Sequence, residues 1–358
     1  MVLFVSVVIP VYNEEAHLGA VLDDLMNQDY PRDHFEILVV DGKSTDRTTE
    51  IVRRYMSPAS PAVRLFSNPA RLSSSGRNVG IRHSRGELVI FVDGHCRIQN
   101  DSLLSDSARI MQETCAQCLC RPQPLTSPGN TWFQDTVAYA RATLIGHGRD
   151  STIYATEMEG FVNPTSSGAA YRRSVFERVG LYDESFDACE DVEFNHRVHR
   201  AGIPSYLSPR LMVAYQPRST LSGLFQQMLR YGRGRFRLMQ KHKEAASLSQ
   251  LVPAAFVAGL MLLGIGSFAS NLDRVTLLVA LLSYTALLLG FSAPLRVRWG
   301  WRSFLVAPII YLTIHFGFGA GYWAGASQAC WEKVRSKDSH RGRRSTLPSL
   351  RKQFSKKS

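Results

Sequence analysis

No Gly-x-Gly-x-x-Gly follows an apolar run anywhere in the chain and no Walker pattern is present, which argues against a dinucleotide-binding fold and a P-loop. Cysteine is scarce, six in 358 residues, at positions 96, 115, 118, 120, 189 and 330. They lack the paired spacing of a secreted disulfide scaffold. Cys115, Cys118 and Cys120 invite a zinc reading, but no fourth ligand or partner pair with suitable spacing follows. Small buried thiols in a reducing cytosol are the better account. The apolar start, Met1 to Pro10, has neither a basic n-region nor a small-residue cleavage site. A first buried strand is expected there rather than a signal peptide. Acids are also short: 42 Lys and Arg face 30 Asp and Glu, a formal net charge of +12. The excess points to an anionic partner such as nucleic acid, anionic lipid or a phosphorylated ligand. Charge is absent from three stretches, Leu251 to Leu272, Val275 to Leu295 and Ser303 to Trp331. Each is long enough to cross a hydrocarbon core of roughly 30 Å as a helix. The sequence reads as a membrane protein with a soluble N-terminal part.

Apolar runs alternate with helical patterns through the first third. Strands are expected at Val5 to Ile9, Glu36 to Val40, Val63 to Phe66 and Leu88 to Val92. Helices are expected at Glu14 to Gln28, Arg47 to Tyr55, Ser73 to Ser84 and Asp101 to Thr114. Continuous apolar strands between helices specify an α/β fold, a mainly parallel mixed sheet covered on both faces. Arg121 to Tyr154 shows no clean periodicity and reads as an excursion over the sheet. A short helix at Ser174 to Val179 and another from Asp191 to Ala201 follow. A basic helix, Leu221 to His242, precedes the first hydrophobic stretch, where it fits an interfacial helix against anionic headgroups.

Loops gathered at the carboxyl edge of such a sheet bind its ligands. Asp93-Gly94-His95 closes the fourth strand and puts a carboxylate and an imidazole two residues apart, on one side if the strand continues. That pair suits a divalent cation, although strand-end Asp residues also cap turns. Asp41 follows the second strand. Ser44 or Thr45 can cap the next helix, which leaves Asp41 free to accept from a ribose hydroxyl or a base N–H. Pro10-Val11-Tyr12-Asn13-Glu14 opens the first helix, whose amides can face an anion, while Glu14 also complements the helix dipole. Arg77 and Asn78 precede the Asp93 strand, placed to touch a diphosphate or ribose or to solvate the surface. Glu190 and Asp191 begin a helix, where acids are common for dipole reasons. Pointing in different directions, one can orient a site while the other accepts a proton.

In this order the motifs resemble the family 2 glycosyltransferases, with their GT-A nucleotide-diphospho-sugar transferase fold, over roughly Val5 to Arg237. They are Pro-x-x-Asn-Glu at 10 to 14, Asp-Gly-x-Ser-x-Asp at 41 to 46, Arg-Asn at 77 and 78, an Asp-x-Asp-like site at 93 to 95, Glu-Asp at 190 and 191, and Gln-x-x-Arg-Tyr at Gln227 to Tyr231. The Asp-Gly-His form and the hydrophobic C-terminal stretches are most similar to the branch containing succinoglycan-type exopolysaccharide enzymes. The resemblance implies donor binding by Pro10, Tyr12, Asn13, Glu14, Asp41, Ser44, Arg77, Asn78, Asp93 and Gly94. It further implies that Asp41 holds the uracil or ribose of a UDP-sugar, and that Asp93 and His95 serve the metal on its diphosphate. Asp191 would be the catalytic base of an inverting transfer, with Glu190 beside it. Arg230 would stabilise the departing UDP, Gln227 and Tyr231 would shape the acceptor side, and Thr165-Ser166-Ser167-Gly168 would let backbone approach the sugar. His95 replaces the family's second acid. Imidazole suits Mn2+ better than the harder Mg2+, so Mn2+ dependence is expected.

The expected organisation is a cytosolic catalytic domain at 1–217, an amphipathic interfacial region at 218–245, a membrane domain of about three segments at 246–331 and a basic disordered tail at 332–358. A UDP-sugar donor implies a cytosolic active site on a multi-pass plasma-membrane protein, in keeping with positive-inside bias. Three spans would carry the basic tail across, so one stretch is expected to be irregular; the third, with His315 and Gly317 to Gly321, is the candidate. A lipid-linked acceptor fits this placement. A processive synthase and a non-catalytic sugar-nucleotide-binding scaffold are the rival readings. Nucleic acid is not expected, because the basic residues adjoin the hydrophobic stretches rather than an RNA-binding motif.

Overall fold

The structure is a computed structural model that describes residues 2–56, 61–125, 129–147, 152–245 and 248–345. The β-branched run at the start forms β1 (Val5–Val11), and side chains alternate across it into two separate cores. Val5, Val7, Ile9 and Val11 pack under α1 (Leu18–Met26) and α4 (Leu103–Glu113). Val8 packs on the opposite face with Ile81 of α3 (Ser73–His83), Phe176 of α7 (Arg173–Val179) and Phe194 of α8 (Glu190–Arg200).

β1 pairs in parallel with β2 (Phe35–Asp41) and with β4 (Leu88–Phe91), and β2 pairs in parallel with β3 (Ala62–Ser67). Beyond β4 the sheet turns antiparallel at β8 (Gly168–Arg172) and continues through β6 (Cys118–Cys120), β9 (Ser205–Leu207) and β7 (Gly160–Phe161). A separate antiparallel pair joins β5 (Cys96–Ile98) to β10 (Val213–Tyr215). The order β3-β2-β1-β4 reverses direction of growth at β1, so the carboxyl ends of β1, β2 and β4 meet at a crevice. α2 (Thr48–Tyr55) connects β2 to β3.

Three local readings change. α1 begins at Leu18 rather than at Glu14, because Asn13 has φ 54° and its side chain is tied to the second loop. Arg121 to Tyr154 is not wholly irregular: α5 (Trp132–Ala142) starts at a Thr131/Gln134 capping box, followed by the one-turn α6 (Leu144–His147). Its buried face carries Gln134, Thr136 and Arg141, which breaks the apolar pattern in the sequence. α9 (Leu221–Lys241) forms where expected, but Arg233 and Arg237 pair with Asp187, and Lys241 with Asp183 and Glu193. Those three cations are engaged by the catalytic domain rather than left for headgroups.

α10 (Leu248–Gly266) and α11 (Asn271–Ser345) follow. Among the described residues, Asn271–Lys333 is the helix long and apolar enough to cross a membrane, and Leu251–Gly266 is a shorter apolar helix. α11 is interrupted at Gly300, φ 82° and ψ −177°, and the Tyr284 hydroxyl lies 2.7 Å from His315 Nδ1, so its two halves lie side by side. The irregularity therefore falls before the third stretch, not within it. Gly317 and Gly321 are needed for contact: a Cβ there would meet Met228 or the Leu229 carbonyl of α9. The helix runs on through the start of the basic tail to Ser345, and residues 346–358 lie outside the described residues.

Candidate active site

The carboxyl edge gathers the expected acids. Asp93 and His95 lie in a turn between β4 and β5, closed by the Cys96 amide donating to the Asp93 carbonyl at 3.1 Å, rather than in a continuing strand. Gly94 is needed in that turn, since a Cβ would press on Val11 and Glu14. Arg77 reaches the turn from α3, and its Nη2 donates to Asp93 Oδ1 at 3.1 Å. Its Nε lies 3.9 Å from Glu190 Oε1, and the guanidinium sits 5.5 Å from the ring centres of both Phe91 and Tyr182. One buried cation thus spans the first acid and the Glu190-Asp191 pair.

Burial would raise the Asp93 carboxyl, but Arg77 foremost, with His95 and Arg121, outweighs it and holds the group below the usual carboxylate range. Glu190 goes the other way. Desolvation and the neighbouring Asp191 raise it, against the pull of Arg77. Asp191 is half-buried at the opening of α8, after Cys189 in the left-handed region with φ 62°, and its Oδ1 accepts from the Val192 amide at 2.8 Å.

His95 Nδ1 lies 2.8 Å from Glu14 Oε1. With Glu14 accepting from Nδ1–H, the tautomer leaves a lone pair on Nε2, which is buried without a hydrogen-bond partner. An ionised carboxylate and an imidazole with an uncommitted nitrogen fit a divalent cation. Glu14 therefore steadies His95 instead of capping α1. The His95 ring also meets Tyr215 edge to face, centroids 4.8 Å apart, and Gln227 Nε2 donates to the Tyr215 hydroxyl at 3.2 Å and the Tyr231 hydroxyl at 3.4 Å. The Gln227 Oε1 is buried and unpartnered.

The other expected residues have these surroundings. Asp41 does have a local partner: its two carboxylate oxygens accept the Ser44 amide at 3.3 and 3.2 Å. Ser44 Oγ accepts from the Asn13 amide at 2.8 Å, and Asn13 Oδ1 accepts from the Thr45 amide, so the two loops lock together. Pro10 is half-buried beneath Gly76, while Tyr12 is exposed, with Arg71 over its ring. Asn78 is spent on structure: it donates to the Tyr182 carbonyl and Glu184 and accepts the Tyr182 amide. Gly168 makes room for Asn195, whose Nδ2 donates to its carbonyl at 3.1 Å. Arg230 is exposed and makes no ion pair among the described residues. The cation that sequence reasoning missed is Arg121, buried beside Asp93 and Cys96 with its Nη1 unpartnered. Its only signal was an arginine directly after an apolar tripeptide.

A family model described as glycosyl transferase family 2 matches residues 6–180. Residues 6–180 are a glycosyl transferase family 2 domain. The chain is a glycosyltransferase. This enzyme is 28% identical over 322 residues to the succinoglycan biosynthesis protein ExoA of Rhizobium meliloti, covering 88% of this chain and 93% of the relative. It is 26% identical over 330 residues, 90% and 97% of the two chains, to a dolichyl N-acetyl-alpha-D-glucosaminyl phosphate diacetamido-dideoxy-glucuronosyltransferase of Methanococcus voltae. Its fold matches the mannosyltransferase PcManGT of Pyrobaculum calidifontis, solved with GDP-Man and Mn2+, with TM-score 0.61 at 20% identity over 90% of this chain and 88% of that one. The mixed α/β sheet is thus a GT-A fold.

Proposed function

We propose that this glycosyltransferase moves a sugar from a UDP-sugar to a lipid-linked acceptor, a polyprenyl phosphate or diphosphate, in exopolysaccharide or cell-surface glycan synthesis. The observation that carries the reading is the Arg77 bridge, which ties the Asp93 end of the crevice to Glu190-Asp191. It sets an anion-binding end and a proton-accepting end on one rigid frame. The names of the two full-length relatives, one in succinoglycan synthesis and one acting on a dolichyl-linked sugar, support the acceptor class.

Asp41, beyond β2, holds the nucleoside, and the loop locked by Asn13 and Ser44 shapes its pocket. Arg77 and Arg121 face the diphosphate and preorganise positive charge where negative charge develops on the leaving group. Asp93 and His95 hold a divalent cation, Mn2+ in preference to Mg2+, which when bound neutralises diphosphate charge. Asp191 removes the proton of the acceptor hydroxyl. That oxygen forms a bond to the anomeric carbon from the face opposite the nucleotide, the bond to the diphosphate oxygen breaks, and UDP leaves with the electron pair. The anomeric configuration inverts. Gln227 and Tyr231 border the acceptor side beside Tyr215.

The apolar halves of α11, with α10, anchor the catalytic domain on the cytosolic side of the plasma membrane, where a lipid-linked hydroxyl arrives at the bilayer surface. Membranes incubated with a panel of radiolabelled UDP-sugars, with GDP-mannose included, test the reading. It predicts label in the lipid extract from one UDP-sugar. Label from GDP-mannose alone would overturn the donor, and growth of a long water-soluble polymer would favour a processive synthase.

A further inference from the structure

Away from the crevice, three metal-binding side chains meet where α8 packs against the end of α9. His196 lies on the second turn of α8, and His242 and Glu244 follow α9 directly. One ligand atom from each of the three falls within 4.8 Å of the other two. The two imidazole centroids are 4.8 Å apart.

His196 is 7% exposed, and its Nε2 is buried with no hydrogen-bond partner, 3.5 Å from Glu244 Oε1. A buried ring nitrogen left unpaired is destabilising unless something else takes its lone pair. His242 is oriented from behind. Its Nε2 lies 2.9 Å from Glu193 Oε1, so the Nε2–H donates to a fully buried carboxylate and Nδ1 keeps its lone pair. A carboxylate behind a histidine is the usual outer support of a metal ligand. The surrounding charges balance: Arg197 and Lys241 are held by Glu193, Lys241 also by Asp183, and Arg200 by Glu244.

We propose that His196, His242 and Glu244 form a second divalent-cation site, suited to Zn2+, that clips the helix opened by Asp191 to the end of α9 and so to the start of the apolar helices. Two imidazoles and one carboxylate are a Zn2+ donor set with one position left for water. The site lies about one and a half turns along α8 from the acid pair, and it ties α8 to the segment that follows α9.

The test uses the full chain, purified in detergent without a polyhistidine tag and carrying His95→Ala so that the crevice contributes no imidazole. After dialysis against Zn2+ the metal is counted by mass spectrometry, and Co2+ is added in parallel to read its visible bands. About one equivalent of Zn2+ is expected, with tetrahedral Co2+ bands, weakened about tenfold or more by His196→Ala and by Glu244→Gln and unchanged by His199→Ala. Glu244 and His199 are both exposed, so their variants fold and keep the comparison valid. Absence of stoichiometric Zn2+, or equal retention in Glu244→Gln and in a His196→Ala/His242→Ala double variant, would overturn the site.

Discussion

Arg77 Nη2 donates to Asp93 Oδ1 at 3.1 Å, and among the described residues Glu190 is the one further carboxylate within ion-pair distance of this guanidinium. Both acids lean on this cation. Arg77→Met leaves buried Glu190 without its cation and takes from half-buried Asp93 the foremost of its positive neighbours, and breaking a buried ion pair costs about 3–5 kcal/mol. A lowered melting temperature and loss of transfer are expected together. Arg77→Lys restores charge but not the planar fork, so it recovers much of the thermal stability while transfer stays at least about tenfold down. Thermal unfolding in detergent and initial rates on the same samples check both.

On the proposed reading His95 sets the cation preference. Mn2+ is expected to support transfer better than Mg2+, and His95→Ala to lose most of that difference. Glu14→Ala, which frees the ring from its 2.8 Å partner, should weaken the cation by about 10–100-fold without touching a ligand. Rates titrated with each metal give the answer, and equal rates with both metals in wild type and His95→Ala would remove His95 from the ligand set.

Much of this frame is legible in the sequence because it obeys simple periods. The doubly buried strands, the acids at their carboxyl ends and the helix behind Glu190 all follow from apolar runs and their punctuation. What escapes is whatever depends on long-range pairing. Asn78 looked like a ligand although the chain around Tyr182, a hundred residues later, consumes it; the Ser44 amide on Asp41, three residues away, is instead a local turn that the sequence reading passed over. Arg121 was silent for the converse reason: a buried cation is recognised by what surrounds it. The basic face of α9 suggested lipid because its partners Asp183, Asp187 and Glu193 lie on other elements.

The contact between α9 and α11 rests on small residues. A Cβ on Gly232 would run into the Phe318 carbonyl, so Gly232→Val must push two helices apart, whereas Gly259 faces open space. Overpacking of this kind costs about 1–3 kcal/mol. Gly232→Val should lower the melting temperature in detergent and Gly259→Val should leave it unchanged.

Thiol chemistry reports on the sheet. Burial pushes the Cys96 and Cys189 thiols up to about 12, while Cys115 is exposed. The thiolate is the reactive form, so iodoacetamide at about pH 8 should label Cys115 and spare Cys96 and Cys189 until the chain is unfolded. Raising the pH by about one unit leaves both still protonated. Peptide mapping of native and denatured samples distinguishes this from open, reactive cysteines.

The central claim is that Asp191 takes the acceptor proton while the donor is held elsewhere. Donor affinity and transfer, measured separately on folded Asp191→Asn, test it most directly. The account predicts a dissociation constant for the UDP-sugar within about twofold of wild type, and transfer to the lipid acceptor reduced by about a hundredfold or more. Transfer at the wild-type rate, or a loss fully explained by weaker donor binding, would contradict it.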